Sequence, residues 1–269
     1  MKSFAYALSG AAASAIALAS TSPASAQDAE LAQKLSNPVA SLISVPSQVN
    51  YDSGYGPADG YRVTLNVQPV IPISLSKDWN LISRTIVPSI GQRDIAGRSG
   101  GQSGLGDITQ SLFFSPRAVK QGGVIWGIGP VLTAPSATND LLGAGKWGAG
   151  PAAVVLKQSG PLTYGMLANH IWSFAGDRDR NAVSSTFLQP FLTYTTRDAW
   201  TLGINSESAY NWKRGEWAVP VHFTVSKLVK FGNQPVSFGI ATRYWMVSPR
   251  NGPEGVGLRG IVTFLFPKK

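Results

Sequence analysis

The stretch "EWAVPVHFTVSKLVKF", Glu216 to Phe231, decides how the chain is read. From Trp217 to Val225 every second residue is bulky and apolar: Trp217, Val219, Val221, Phe223 and Val225. Ala218, Pro220, His222, Thr224 and Ser226 alternate with them. A period of two makes this a strand with one greasy face and one small or polar face. In a soluble sandwich the greasy face turns into a core; in an outer-membrane barrel it turns out to lipid and the polar face lines the interior.

Strand lengths weigh on that choice. Turn chemistry divides the chain into twelve extended runs, at 39–50, 61–71, 79–89, 104–115, 123–134, 146–157, 161–173, 185–196, 199–210, 216–229, 235–247 and 256–266. Ordinary strands average about five or six residues, whereas a tilted membrane strand needs about nine to eleven. The links alternate as well. Long, glycine-rich or charged links such as "IGQRDIAGRSGGQSG", "PSATNDLLGAG" and "FAGDRDRNAVSS" follow odd-numbered runs, and short ones such as "QSG" and "RD" follow even-numbered runs. Long outer loops and short periplasmic turns are the habit of outer-membrane barrels. An even strand count puts both termini at the periplasmic end. The expected fold is all-β: a transmembrane antiparallel up-and-down barrel of about twelve strands.

The aromatics agree. Tyr61, Trp79, Trp147, Trp172, Trp200, Trp212, Trp217 and Trp245 fall at or near strand ends, as expected of two interfacial girdles. The Trp217–Val225 face is therefore assigned to lipid, and His222, Thr224 and Ser226 to the lumen.

The N-terminus carries Lys2, then the alanine-rich apolar run "FAYALSGAAASAIALAS", then "TSPASA". A basic start, a short apolar region and small residues at Ala24 and Ala26 read as a secretory signal peptide cut after Ala26. Residues 1–26 are set aside on that reading, 27–38 form a lead-in segment that ends at Pro38, and 39–269 form the barrel. Export places the protein in the outer membrane of a Gram-negative cell, with outer-membrane lipids as its surroundings. Beyond residue 26 no apolar run approaches the roughly 20 residues of a membrane helix, so any spanning is by strands. The chain has no Cys, so no disulfide holds it. The net charge of +9 comes from scattered basic residues, which with export argues against a nucleic-acid partner.

Within the strands, charge keeps to one parity. Arg62 lies opposite Tyr61, Val63 and Leu65, and Arg259 opposite Leu258, Val262, Phe264 and Phe266. Arg243 shares a face with Gly239 and Ala241, Glu207 with Gly203 and Asn205, and Asp107 with Thr109 and Ser111. An outward Arg or Lys at mid-bilayer costs about 2–4 kcal/mol, so these positions are assigned inward. Lys227 has outward parity but lies near a strand end, where its stem can snorkel. The lumen-lining and selectivity candidates are Arg62, Arg84, Asp107, Glu207, His222, Arg243 and Arg259. Arg62, Arg243 and Arg259 occupy one sector of the wall; Arg84 is the weaker member, since Ile82 and Ile86 share its side. Two readings stay open: an arginine sector that favours anions, or arginines that pair with carboxylates and brace the wall.

The stretches "SRTIVPSI", "GLGDITQSLFFSP", "GIGPVLTAPSATNDLLGAGKWGAGPAAVVLKQSGPLTYGMLANHIWSFAG" and "TFLQPFLTYTT" resemble a family of bacterial outer-membrane proteins. It is known as the "MetA-pathway of phenol degradation" family, whose members are often labelled transporters or neuromedin U proteins. The resemblance runs from about Leu31 to Pro267 and implies an outer-membrane β-barrel that passes small molecules, aromatic ones among them. It supplies no catalytic or binding residues to carry over. Such barrels often end on an aromatic residue, whereas here Pro267, Lys268 and Lys269 follow Phe266.

Catalytic and cofactor motifs are weak. "GAGKWGAG", Gly143 to Gly150, has Asp140 where a phosphate loop needs Gly and Trp147 where it needs Ser or Thr. "GLGD", from Gly104, lacks the dinucleotide-binding spacing. His222 and Ser226 share a strand face, yet four strand positions span roughly 13 Å, so a Ser–His hydrolase would need a partner from another strand. Asp177 and Asp179 in "DRDR" read as a solvated loop tip more readily than as a metal site. The segment Ile90–Ser103 is a candidate constriction loop or, more simply, an outer loop. The expectation is a porin-like pore or transporter for facilitated diffusion of small, aromatic or anionic solutes, not an enzyme, and without cofactor or metal. An outer-membrane enzyme and a closed structural or adhesive barrel are the alternatives.

Overall fold

The computed structural model describes residues 26–117 and 122–267. The leader expected at 1–26 lies almost wholly outside them. One helix, α1 (Ala26–Leu35), precedes a closed antiparallel sheet. The strands are β1 (Ile43–Tyr55), β2 (Gly60–Val67), β3 (Val70–Ser74), β4 (Trp79–Arg93), β5 (Gly101–Leu105), β6 (Ile108–Pro116), β7 (Val124–Ala134) and β8 (Lys146–Ser159). They continue with β9 (Leu162–Gly176), β10 (Ser184–Thr195), β11 (Trp200–Ser206), β12 (Ser208–Asn211), β13 (Glu216–Phe231), β14 (Gln234–Val247) and β15 (Val256–Phe266).

β2 with β3, β5 with β6 and β11 with β12 are each one wall strand interrupted by a residue or two, so the barrel has twelve strands [ P052]. Each strand pairs with its chain neighbours, and β1 closes on β15 from Ile43↔Phe266 to Tyr51↔Leu258. Closure leaves no sheet edge, which a lipid environment requires because hydrocarbon cannot satisfy backbone donors and acceptors. No described helix is long and apolar enough to cross a membrane.

Facing follows the alternation. On β13, Phe223 is 56% exposed and Val225 40%, while His222, next to Phe223, is completely buried. Seven of the eight expected girdle aromatics are exposed on the outside. Trp245 is the exception: it keeps the inward parity of Ala241 and Arg243, pairs with the inward Pro220 just before a bulge at Val219, and donates its indole N–H to Asp52. Lys227 sits over the Trp200 ring near the periplasmic end and donates to the Asp198 carbonyl.

Two links differ from expectation. "YDSGYGPADG" is not a long loop, because β1 runs on to Tyr55, and Gly56–Ala58 forms a single 3-10 turn before β2. Ile90–Ser103 does not fold inward. β4 continues to Arg93 and β5 pairs with it in register, so the segment extends the wall as a hairpin. The β7–β8 loop, 135–145, is the one that folds back at the outer end. Gln92 donates to Leu141 O, and Arg180 donates to the carbonyls of Asp140, Gly143 and Ala144.

Candidate functional site

The interior has two unlike halves. On β4 through β9 an apolar cluster of Ile82, Phe113, Val131, Ala152, Val154, Leu156 and Leu167 is buried, interspersed with polar positions such as Asn80, Arg84, Ser111 and Thr163. Phe187 and Phe191 of β10 pack against them, and Val39, just after Pro38, enters the same cluster. The centre of this half is a packed hydrophobic cluster.

The half formed by β11/β12 through β2 is polar. Direct cross-strand partners bring Asn205 beside His222, His222 beside Arg243, and Asn50 beside Arg259. Arg243 faces Gly257 on β15, which has no side chain to block the guanidinium from reaching β1. A Cβ at Gly257 would stand 2.6 Å from Asp52 Oδ1, so only glycine leaves room for this carboxylate. Arg243 Nη1 donates to Asp52 Oδ2 at 2.6 Å and Nη2 to Asn50 Oδ1 at 2.9 Å. Trp245 Nε1 takes the other Asp52 oxygen at 3.0 Å. Arg259 grips Glu207 with both Nη atoms, at 2.7 and 2.8 Å, and its Nε donates to Asn50 Oδ1 at 2.5 Å. Bidentate Arg–carboxylate pairing is the strong form of this contact, and inside a barrel it has little competition from water.

The seven candidate residues therefore separate. Arg243, Arg259, Glu207 and His222 meet in one buried layer, although His222 makes no hydrogen bond and its Nε2 is 3.7 Å from Glu207. Arg62 stands outward of that layer, stacked over Tyr55 and donating to Gln92 Oε1 at 2.9 Å. Arg84 stands toward the periplasmic end and donates to Gln68 Oε1 at 2.8 Å. Neither has a carboxylate in ion-pair range among the described residues. Asp107 joins neither group, for its two oxygens accept the N–H groups of Ala137 and Ala144 and so pin the β7–β8 loop. Asn50, Asp52 and Gln92 complete the network without having been singled out in the sequence, and Trp245, expected in an outer girdle, joins them inside. The signal for Asp52 was available: Val49 and Tyr51 keep the outward parity, which makes Asn50 and Asp52 inward neighbours.

Below the charged layer lies a cavity of about 290 Å³. Arg84, Arg259 and Glu207 line it together with Phe191 and Ile261, and α1 with the segment to Leu42 forms its periplasmic boundary. Leu31 and Ala32 of α1 pack with Leu42, Ala199, Leu228 and Leu265, which sit at the periplasmic ends of the strands. Gln33 donates to Gly160 O at 2.6 Å, Gln158 donates to Gln33 O at 3.2 Å, and Lys230 pairs with Asp28. The helix thus lies across the periplasmic mouth, held by the barrel's own turns. A second cavity of about 210 Å³ lies toward the outer end beside Thr133, Lys146 and Ser173.

No hydroxyl is hydrogen-bonded to His222. His170 meets Thr186 Oγ1 at 2.7 Å and Ser184 Oγ at 3.4 Å, but on the outward face among Trp172 and Trp212. Among the described residues no cluster of acids and histidines is arranged to hold a metal.

A closed twelve-stranded antiparallel barrel with a greasy outside, aromatic girdles and a charged interior defines a transmembrane β-barrel of the outer-membrane type. The solved structures it resembles are of that kind. An outer membrane channel from Pseudomonas putida F1 superposes with a TM-score of 0.65 at 16% identity, covering 84% of this chain and 96% of that one. The outer membrane phospholipase A of Escherichia coli gives 0.47 at 10% identity, covering 83% and 90%. The Salmonella typhi outer membrane phospholipase dimer with bound calcium gives 0.47 at 11%, covering 92% and 99%. No family model matches the sequence. No curated protein matches it either.

Proposed function

We propose that the protein resides in the outer membrane and passes small amphipathic organic solutes by facilitated diffusion. The observation that carries this reading is the two-sided interior: a predominantly apolar cluster on β4–β9 faces a hydrogen-bonding and charged wall on β11–β15, β1 and β2. A solute with an apolar body and a polar end can lie between them with each part matched, whereas a sugar would forfeit contact with the apolar half. A twelve-stranded barrel is narrower than the 16–18-stranded porins, and side chains fill much of this one, which suits a selective path better than a wide one. The likeness to a solved outer membrane channel supports the reading at the level of fold. Membership of the phenol-degradation family suggested by the sequence is part of the same proposal.

Liposome swelling with the purified full chain tests it. Small aromatic alcohols and acids should permeate measurably faster than sugars of similar size, and single channels of small conductance should appear in planar bilayers. Equal rates with and without protein, or faster entry of sugars than of aromatics, would overturn the proposal.

A further inference from the structure

We infer that the cavity beneath the ion-pair layer is a binding site for the carboxylate of a small amphipathic acid, with Arg84 as the group that takes the anion. The inference rests on the transport reading for its role as a way-station, but not for its existence.

The charge arrangement points to the ligand. The charges of Arg243 and Arg259 are met by Asp52 and Glu207, with Asn50 accepting from both, and both Glu207 oxygens are taken by Arg259. Arg84 has no such partner. Its one hydrogen bond in the structure goes to the neutral amide of Gln68, which in turn donates to Gln48 Oε1 at 3.0 Å. Gln68 is only 6% exposed, so this relay is a built feature of the interior rather than a surface contact. A guanidinium carries five N–H donors in a planar fork, and the others here have no protein acceptor among the described residues. Arg84 has only a neutral amide in hydrogen-bond range, and Glu207, already gripped by Arg259, acts on it only from beyond ion-pair distance; an incoming carboxylate would supply a direct counter-charge and accept two parallel bonds.

The cavity's shape narrows the ligand class. Water occupies about 30 Å³ per molecule in the liquid, so about 290 Å³ holds a solute of roughly ten to fifteen non-hydrogen atoms. Phe191, Ile261, Val70 and Leu42 line it with apolar surface, and Gln48 and Gln189 add amides near the polar side. Glu207 on the same lining disfavours a dianion. A monocarboxylate on an aromatic or short aliphatic body fits these demands, and the neutral amide of the same shape lacks the charge that Arg84 awaits.

Binding can be measured without permeation, by calorimetric titration of benzoate and of benzamide into the detergent-folded full chain. Benzoate should bind at least about tenfold more tightly than benzamide, as expected where a charge-assisted bidentate contact is replaced by a neutral one. Arg84→Gln should bring benzoate down to the level of benzamide without changing the latter, and Arg84→Lys should retain part of the difference. Arg197→Gln, in the β10–β11 turn, should change neither, and the heat-dependent gel shift of every variant certifies a folded barrel. Benzoate binding that is absent, equal to that of benzamide, or undiminished in folded Arg84→Gln would overturn the assignment while leaving the swelling result untouched. Arg84-dependent binding in a protein that passes no solute would uphold the site and remove the transport reading instead.

Discussion

Phe223 and His222 are consecutive residues, and one is 56% exposed while the other is sealed. That single step of the pleat carries the difference between lipid and lumen, and it makes opposite demands on substitution. Phe223→Arg should cripple assembly, since a guanidinium on the outer face near mid-bilayer costs about 2–4 kcal/mol. Thr224→Arg, on the cavity side, should yield folded, heat-modifiable barrel in clearly larger amount; equal loss at the two positions would contradict the facing. Inside, the sharpest test is Glu207. Glu207→Gln leaves Arg259 buried without its counter-charge, a change that costs about 3–5 kcal/mol where a buried pair loses one member. The urea midpoint should fall accordingly. Glu207→Gln combined with Arg259→Gln should lose less than the two single variants added together, because the coupling vanishes with both charges. Strict additivity would show that the pair contributes nothing to the wall.

At the scale of elements, α1 is the piece whose removal has the clearest expected effect. It buries Leu31 and Ala32 across the periplasmic mouth, yet it belongs to no strand pairing, so the barrel's hydrogen-bond network closes without it. A full-length barrel lacking residues 27–36 should still shift on heating, and its single-channel conductance should rise severalfold. Unchanged conductance would mean that the constriction lies wholly in the side-chain layer above. The elements also show why some features could be read from sequence and others could not. β13 and β15 carry strict alternation between lipid-facing and interior residues, and their bounds were legible to within two residues. β1 was not, because Asp52, Gly54 and the polar residues around them resemble a turn, and only the pairing of Tyr51 with both Val63 and Leu258 shows that the strand continues. Ile90–Ser103 misled for a related reason: glycines that suit a loop also suit a hairpin projecting beyond the membrane, where no alternation is demanded. Trp245 was misplaced because its position near a strand end was weighed above its parity, which it shares with the inward Arg243.

For the whole molecule, the number of strands could be read from chain length and turn spacing, since the length of each run follows from the thickness of a bilayer. The interior could not be read in the same way. Parity identifies which residues point inward but not which of them touch, because contacts across a closed barrel depend on stagger and on gaps such as the one at Gly257. The consequence for charge is specific. Arg62, Arg243 and Arg259 formed the expected anion-attracting sector, yet Arg243 and Arg259 are engaged by Asp52 and Glu207, and the two guanidinium groups with neutral partners are Arg62 and Arg84. Those two stand on opposite sides of the ion-pair layer, one toward each mouth. Fixed charge in a narrow, low-dielectric passage sets the local ion population, so an anion entering from either end should meet an unpaired guanidinium before the neutralised layer. Reversal potentials under a potassium chloride gradient should therefore show chloride preference in the wild type. Arg62→Gln with Arg84→Gln should remove most of it while preserving the barrel, because neither side chain braces a carboxylate. Arg243→Gln should act chiefly on stability, by leaving Asp52 buried with only the Trp245 indole. A cation-selective wild-type channel, or a double variant with the wild-type reversal potential, would show that these two arginines do not set the field of the pore.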